Sequence, residues 1–351
     1  MSEHDRALSL QRDVLKLTRK LADEISRSPL SRDNDAIDDL THKIEVYRPR
    51  LSAAYRALRR LDRAPKDKIS RRAYDAQRKI ARDTKLLGQR LKKWDWIENL
   101  IQRHKDPQAN PLDLSQPETE YDAVLNKLHM AFYRLANPYS QSKDSRDHGC
   151  FADIPLNIKP FEQLMRVAYR LLLIQGKAHS SKFLDVGCGG GTKVLVASEY
   201  FTECHGLDFE ADYVAAGQQM LQLTDSDTCR IFQADGLTFD QYDNYDVIYF
   251  YRPLRDDALL AQMEDQIFSN AKPGTVILAP YTGSLERRPE IDYPSVKDCV
   301  FVAGMTQAEI DVLHKEAELT DTDKILGPKG MRFDPGFWEP LLEVATFNGR
   351  N

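Results

Sequence analysis

A run of glycines follows a short apolar stretch in the segment Lys-Phe-Leu-Asp-Val-Gly-Cys-Gly-Gly-Gly-Thr at residues 182–192. The apolar stretch, Lys182–Val186, predicts a buried strand, and the residues from Thr192 onward predict a helix. Glycines between a strand and a helix let the backbone approach a ligand closely, because a Cβ atom would clash there. The first amide groups of the helix would then point toward the ligand. The segment is therefore typical of a ligand-binding loop at the end of a strand in an open α/β sheet.

The spacing of the glycines distinguishes between two kinds of ligand. The dinucleotide fingerprint GxGxxG, counted from Gly187, requires its third glycine at the position of Thr192. The pattern present is instead Asp-x-Gly-x-Gly-x-Gly, with Asp185 two residues before Gly187 and further glycines at Gly189 and Gly191. Thr192 therefore argues against a nicotinamide-dependent oxidoreductase.

Acidic residues follow the next two predicted strands. Asp208 comes directly after the strand Glu203–Leu207, and Asp235 follows the strand Arg230–Gln233. Because ligands bind at the carboxyl ends of parallel strands, both acids are expected at the same edge of the sheet as the glycine loop. Taken singly, Asp235 could instead be a turn residue before Gly236, and the acid of the glycine segment a helix or turn cap.

The order of these segments resembles the class I S-adenosylmethionine-dependent methyltransferases. The resemblance covers about residues 160–282, and it includes a fourth strand at Tyr245–Phe250 and the turn Lys272–Thr275 before a fifth strand. It implies a Rossmann-like methyltransferase sheet with helices on both faces, preceded by an all-α N-terminal region. It also implies S-adenosyl-L-methionine as the cofactor and a methyltransferase as the function, with the methyl acceptor unidentified.

The same resemblance assigns residues to parts of the cofactor. Asp185 and the backbone of Gly187 and Gly189 would hold the methionine end, and Asp208 would bind the ribose. Asp235 would accept a hydrogen bond from the adenine amine. Phe209 would pack on the adenine, although packing in the protein core is an alternative role for that ring. The predicted cofactor-binding residues are Asp185, Gly187, Gly189, Gly191, Asp208, Phe209, Asp235 and Gly236.

The segment after the fourth strand usually faces the substrate in this family. Methyl transfer depends mainly on positioning the nucleophile and managing its proton, so an elaborate acid–base set is not required. Tyr251 and Arg252 are the candidates for substrate contact, whereas Tyr249 and Phe250 are expected to pack in the core. The segment lacks the Asn/Asp-Pro-Pro-aromatic motif of amino-methylating DNA enzymes, and this puts methylation of adenine or cytosine amines in doubt.

A histidine in a polar loop is the remaining catalytic candidate. The loop, residues 147–153, precedes the helix that leads into the first strand, so it could fold over the mouth of the cofactor site. His148 in that loop would be able to act as a base near neutral pH. A solvated loop histidine is the alternative interpretation.

The pattern along the chain predicts a helical region, a linker and an α/β domain. Apolar residues at helical spacing predict helices ending near Ile25 and at Asp35–Tyr47, Pro49–Arg63 and Ser70–His104. Alternating strand-like and helical runs after residue 160 predict a parallel sheet. Two late runs, Cys299–Val302 and Glu343–Phe347, would add a terminal hairpin. The predicted division is 1–106 helical and basic in its second half, 107–117 linker, 118–159 helix and loop, and 160–351 methyltransferase domain with a C-terminal extension.

The charge of the chain is unevenly distributed. Residues 48–106 contain nineteen Lys and Arg but seven Asp and Glu, a net charge of +12, whereas the chain as a whole carries −5. Such asymmetry indicates a contact with nucleic acid, with a protein or with the acidic remainder of the chain. A solvated helical face is the plain alternative. Trp94 and Trp96 would be able to stack on bases, although a core position suits at least one of them.

The bulk composition limits the remaining function classes. No apolar run approaches the ~20 residues that cross a bilayer, and the N-terminus lacks the apolar core of a signal peptide, so we expect a cytoplasmic protein with no membrane contact. Five scattered cysteines argue against a disulfide framework, and none has the spacing of a zinc site, so no metal is expected. The alternative to an active enzyme is a non-catalytic cofactor-binding or scaffolding protein whose basic helices bind a partner or nucleic acid.

Overall fold

The computed structural model describes residues 2–62, 70–112, 114, 118–137, 140–224, 226–281, 294–297, 299–320 and 334–347. Some predicted features lie outside these residues: part of the linker at 113 and 115–117, the basic residues at 63, 66 and 68, and the last residues of the C-terminal extension at 348–351. The chain divides into two compact units, one formed by residues 1–110 with 319–351 and the other by residues 111–318. No helix among the described residues is both long and apolar enough to cross a lipid bilayer.

Helices alone form the N-terminal part of the chain, and strands alternate with helices from residue 182 onward. The helices are α1 Glu3–Ile25, α2 Asn34–Glu45, α3 Tyr47–Asp62, α4 Arg71–Lys92, α5 Trp94–Lys105, α6 Glu120–Ala136, α7 Lys143–Asp147, α8 Ile158–Ile174, α9 Thr192–Ala197, α10 Ala211–Leu223, α11 Asp257–Asn270, α12 Gln307–Glu318 and α13 Glu339–Phe347. The strands are β1 Lys182–Val186, β2 Glu203–Asp208, β3 Cys229–Gln233, β4 Val247–Phe250, β5 Val276–Leu278, β6 Ser295–Lys297 and β7 Val300–Val302.

The first unit is a helical cluster built on amphipathic helices. Its core contains Leu21, Leu51, Leu87 and Trp94, all at most 1% exposed. Gly88 of α4 lies against the Tyr55 ring of α3, where an added Cβ would approach a ring carbon to 2.8 Å. The glycine therefore allows α3 and α4 to pack closely.

Two predictions for this unit are wrong in detail. The single helix predicted over residues 70–104 is two helices, because the chain turns at Lys93, whose amide bonds to the Arg90 carbonyl at 3.3 Å. The turn places Trp94 in the core, where its ring meets that of Trp338 edge-on with centroids 4.8 Å apart. The predicted strand at Glu343–Phe347 belongs to helix α13, which packs with α1 through Leu341 and Ala345. Residues 334–347 pack within the helical unit.

The second unit is a seven-stranded sheet in the order β3-β2-β1-β4-β5-β7-β6. Strands β1 to β5 are parallel, and β7 and β6 are antiparallel. Strand order reverses between β1 and β4, and this reversal opens a crevice at their carboxyl ends. β7 confirms the strand predicted near Cys299–Val302, although its hairpin partner is β6.

Helices cover both faces of the sheet, as the fold class requires. Alternate residues of each central strand enter opposite cores: Phe183 and Tyr249 pack with α8 and α9 on one face, and Leu184 and Ile248 pack with α11 on the other. The structure therefore confirms the predicted Rossmann-like sheet preceded by an all-α region. Tyr249 and Phe250 are buried, as expected.

Candidate functional site

A cavity of about 540 Å³ opens at the carboxyl ends of β1, β2 and β4. Its walls bring together most of the residues that the sequence analysis selected. These are His148, Gly187, Gly189, Asp208, Phe209, Asp235, Gly236, Tyr251 and Arg252. Asp185 and Gly191 do not line this cavity. Residues that sequence reasoning did not select, among them Asp153, Lys193 and Tyr281, also form its walls.

The glycine loop is hydrogen-bonded to β2 and packs closely against Pro253. The amides of Gly187 and Cys188 both donate to the Leu207 carbonyl, at 2.9 and 3.0 Å, so the loop is anchored to β2. Gly187 has φ +77°, and a Cβ there would lie 2.5 Å from the Cβ of Pro253. Only a residue without a side chain therefore fits at this position.

Gly191 has a structural role at the start of α9. It caps α9 in the left-handed conformation at φ +74°, and a Cβ would lie 2.1 Å from Cδ1 of Ile231. The glycine thus lets the loop pack on β3 beneath the cavity. A contact with cofactor is not required to explain it.

Asp208 organises the loop through both of its carboxylate oxygens. Oδ2 accepts a hydrogen bond from the Gly189 amide at 2.7 Å, and Oδ1 accepts one from the Glu210 amide at 2.9 Å. Burial raises the pKa of Asp208 to about 6, against the opposing effect of these two hydrogen bonds. Each oxygen keeps a further lone pair with which it can accept a hydrogen bond from a ligand.

Asp185 is a buried carboxylate with no hydrogen-bond partner among the described residues. It is the second-last residue of β1, is 1% exposed, and both of its oxygens are buried. Burial raises its pKa to about 7, Lys193 opposes that rise, and the nearby Asp153 and Asp208 add to it. A buried carboxylate left in this state is costly, so the position favours a cationic or hydrogen-bond-donating group nearby.

Asp153 is the main site residue that the sequence analysis missed. Its Oδ2 accepts hydrogen bonds from the Gly190 amide at 3.0 Å and from Nδ2 of Asn137 at 2.6 Å. Burial raises the pKa of this carboxyl. Asp153 therefore covers the glycine loop directly, and a Cβ on Gly189 would lie 2.1 Å from its Cγ. It lies in the loop 147–153, but no spacing rule selects it.

Lys193 supplies a positive charge to this acidic region. It stands in the first turn of α9, is 8% exposed and lines the cavity. A cation in the first turn of a helix is opposed by the helix dipole, and this unfavourable placement was the one signal that could have identified it. Its charge lies close enough to affect the titration of both Asp153 and Asp185.

His148 contacts both residues that were predicted to bind adenine. Its ring stacks on Phe209 with centroids 4.1 Å apart and planes 3° from parallel. Its Nε2 lies 3.2 Å from Oδ2 of Asp235, within ion-pair distance but outside hydrogen-bond geometry. The other oxygen of Asp235 accepts a hydrogen bond from the Leu237 amide at 2.9 Å. Phe209 lines the cavity and one face of its ring is covered by His148.

The loop that carries His148 is held over the cavity by backbone pairing with the segment after β4. Cys150 forms an antiparallel bridge with Leu254, and the Phe151 amide donates to the Pro253 carbonyl at 2.9 Å. The Arg255 amide donates to the Gly149 carbonyl at 2.8 Å. These contacts bring both segments that were predicted to face the substrate to the same mouth.

Arg252 is held in a strained backbone conformation at that mouth. It is the non-glycine residue with positive φ, at +40°, among those described. Its guanidinium donates to the Tyr281 hydroxyl and to Oδ1 of Asp257, each at 2.9 Å, and lies 4.9 Å from the Tyr281 ring centroid. Tyr251 lines the cavity beside it, with its ring 5.9 Å from that of Tyr281. Strain held by side-chain contacts is typical of functional sites.

The residues present fit S-adenosylmethionine better than a dinucleotide. Asp153, Asp185 and Asp208 surround the glycine loop, so a ligand with a positively charged end is favoured there. A dinucleotide would need to place its diphosphate near the Gly190 amide, which already donates to Asp153. Glycine loops without a Cβ, a buried carboxylate and a stacking ring together define a nucleoside site of the class I methyltransferase kind.

The family comparison agrees with this class. The family model described as a methyltransferase domain matches residues 177–320. Residues 177–320 are therefore similar to that family. No curated protein sequence matches the chain.

Solved structures with similar parts include several methyltransferases. YcgJ of Bacillus subtilis is 20% identical over 32% of this chain and 49% of that chain, with a TM-score of 0.27. An RNA methyltransferase from Salinibacter ruber, in complex with S-adenosyl-L-homocysteine, is 19% identical over 32% of this chain and 72% of that chain, with a TM-score of 0.27. The amino pentose methyltransferase CalS10 of Micromonospora echinaspora is 21% identical over 41% and 57%, with a TM-score of 0.29. The chain thus spans about half the length of the first of these structures.

Proposed function

We propose that this protein transfers a methyl group from S-adenosylmethionine to an acceptor bound at the mouth formed by residues 147–153 and 251–255. The observation that carries the proposal is the convergence of three carboxylates, Asp153, Asp185 and Asp208, on a glycine loop of the methyltransferase-domain family. When bound, the cofactor supplies a methyl group on a positively charged sulfur.

The residues of the chain divide into three tasks. Asp185 and the loop glycines would hold the charged methionine end, and Asp208 would accept from the ribose hydroxyls. Phe209 and Asp235 would hold the base by stacking and by hydrogen bonding. Pro253 and Leu254, which line the cavity, would exclude water from the three carboxylates around the glycine loop. A lower local dielectric strengthens each of these interactions.

Tyr251 and Arg252 are proposed to position the acceptor. Hydrogen bonds to Asp257 and Tyr281 fix the Arg252 side chain. Arg252 and the Tyr281 ring therefore form a preorganised wall of the mouth. His148 lies beside the residues assigned to the base, with its ring on Phe209 and its Nε2 3.2 Å from Oδ2 of Asp235, so it is proposed to close the base end of the cavity.

The cofactor part of the proposal is tested by ultraviolet cross-linking of tritiated S-adenosylmethionine to the purified protein. Labelling is expected to be competed by S-adenosylhomocysteine but not by NAD. Asp208→Ala should abolish labelling, whereas Asp240→Ala, which removes an exposed acid outside the cavity, should leave it unchanged. Labelling that NAD competes, or that Asp208→Ala preserves, would contradict the assignment.

The transfer part is tested with pooled acceptors. Tritiated cofactor is incubated with total RNA, DNA, protein and small-molecule extracts in separate reactions, and methyl incorporation is counted. We expect incorporation in one pool, with a loss of at least tenfold for Arg252→Ala while cross-linking of cofactor persists. Normal cross-linking with no incorporation in any pool would instead favour a non-catalytic cofactor-binding protein.

We also infer that the protein acts in the cytoplasm. All five cysteines are free thiols, and such usage is typical of a reducing compartment. Fractionation of cells that express the tagged protein tests this inference, and recovery of the protein outside the cytoplasmic fraction would contradict it.

A further inference from the structure

Helix α4 has two chemically different faces. Its inner face contributes Ile80, Thr84, Leu87 and Leu91, at steps of four, three and four residues, and these side chains pack in or against the core of the helical unit. This face fixes the rotation of the helix, so the side chains opposite to it are directed to solvent.

The outer face of α4 carries a row of cations. Arg71, Arg78, Arg82, Lys85 and Lys92 are all exposed and follow one another at steps of seven, four, three and seven residues. At 1.5 Å per residue the row is about 31 Å long. We call these five residues the cationic row.

Two acids of α4 stand beside the five cations of the row: exposed Asp75, four residues after Arg71 and three before Arg78, and Asp83. Arg82 lies 3.6 Å from a carboxylate oxygen of Asp83, and Arg78 lies 6.0 Å from the ring of the exposed Tyr74. Within the described part of the chain, no ion pair is formed by the other three members of the row. The neighbouring helix α3 adds exposed Arg56, Arg59 and Arg60 to the same hairpin.

We propose that the cationic row binds the sugar–phosphate backbone of a nucleic-acid duplex. Its length is close to the ~34 Å of one turn of duplex DNA, and both strands cross any one side of the duplex within that length, so the row can reach phosphates of both strands. Arginine, which forms three of the five positions, binds phosphate oxygens with two parallel hydrogen bonds. Contacts with phosphate oxygens carry no sequence information, so binding through the row is expected to be independent of sequence.

The exposed residues of the hairpin favour a duplex over a membrane surface. A helix that lies in a lipid interface needs a broad apolar face turned outward. Here the apolar faces of α3 and α4 are buried in their own unit, and the large exposed apolar side chains of these helices in the described residues are Leu61 and Tyr74. The phosphate backbone of a duplex therefore matches the cationic row better than a membrane surface does.

The test measures fluorescence anisotropy of labelled 20-base-pair duplexes, one of DNA and one of RNA, with the full-length protein between 50 and 200 mM salt. Five phosphate contacts predict a slope of log affinity against log salt of about −4.5 for DNA. The triple variant Arg78→Gln, Arg82→Gln, Lys85→Gln should reduce the slope by about 2.7 and weaken binding about 100-fold at 100 mM salt.

A matched control removes the same number of charges from another exposed face. Lys16→Gln, Arg19→Gln, Lys20→Gln on α1 should change duplex affinity less than threefold. Circular dichroism checks that both triple variants are folded. Comparison of the affinities for the two duplexes shows whether RNA or DNA is preferred.

Three results would overturn the inference: no binding of either duplex at 50 mM salt, equal losses in the two triple variants, or binding to anionic phospholipid vesicles alone. Because the binding is measured without cofactor, the inference does not rest on the proposed methyl transfer. Loss of duplex binding with normal S-adenosylmethionine binding would refute only the role of the cationic row.

Discussion

Replacing Asp208 with alanine is expected to weaken S-adenosylmethionine binding by about 10²–10⁴-fold while the fold is retained. The carboxylate accepts two backbone amides in the structure, at 2.7 and 2.9 Å, which aim its remaining lone pairs at the cavity. Two ribose hydroxyls donating to a charged acceptor contribute about 1.5–3 kcal/mol each. Their loss therefore costs about 3–6 kcal/mol, and every 1.4 kcal/mol is tenfold in affinity.

Asp208→Asn provides the matched control for charge. The amide oxygen can still accept from the Gly189 amide, so the loop stays anchored, but the negative charge is gone. We expect the affinity of this variant for S-adenosylmethionine to lie between that of wild type and that of the alanine variant. The assay is isothermal titration with S-adenosylmethionine at pH 7.5, accompanied by thermal melting of each variant.

The pH dependence gives the same residue a second signature. The pKa of Asp208 in the protein is about 6, and the ionised form is the one that accepts both hydroxyls. Affinity should therefore be highest above pH 6 and fall as the pH drops below it. Asp208→Asn should remove this part of the pH dependence. Unchanged affinity of Asp208→Ala at pH 7.5, in a protein that melts normally, would refute the ribose assignment.

Two further variants test the buried parts of the site. Asp185 has a pKa raised to about 7 from an ordinary value of 3.8, so the folded state binds its proton more tightly and wild-type stability falls as pH rises between about 4 and 7. Asp185→Asn should thus stabilise the protein at pH 8 by about 1–4 kcal/mol, with little effect at pH 4, and weaken cofactor binding. Denaturant titrations at both pH values measure this, and a destabilised variant at pH 8 would show that the carboxylate supports the fold. Gly191→Ala should destabilise the protein by about 1–3 kcal/mol more than Gly176→Ala, because both have positive φ but a Cβ at 176 meets nothing within 4 Å. If urea unfolding gives equal losses of stability in the two variants, the Ile231 side chain moves aside at no cost in free energy.

Local patterns in the sequence were sufficient to predict the parallel sheet and the glycine loop. The acid at the end of β2 follows directly from its strand, so its position at the sheet edge is fixed by a few residues of chain. Tyr249 and Phe250 were placed correctly in the core for the same reason, since alternation along a buried strand decides which face a side chain enters.

Contacts between distant parts of the chain were not predictable in this way. Asp153 reaches the Gly190 amide because Cys150 pairs with Leu254, more than 100 residues away. Nothing in the spacing of either segment encodes that pairing. The roles assigned to Asp185, Asp208 and the mouth residues remain predictions that the titrations above address.

The apolar run at Glu343–Phe347 shows a different limit. Its composition suits a strand, but packing against α1 makes it a helix, and short apolar runs do not distinguish the two states by periodicity alone. The break at Lys93 has the same origin, because the position of Trp94 against Trp338 depends on the fold and not on helix propensity.

The most direct test of the central claim is a calorimetric titration of the purified protein with S-adenosylmethionine, S-adenosylhomocysteine and NAD. The three carboxylates around the glycine loop and the spacing of its glycines predict saturable one-to-one binding of S-adenosylmethionine and S-adenosylhomocysteine. They predict no binding of NAD. Absence of binding by both S-adenosyl compounds, or tighter binding of NAD, would contradict the account.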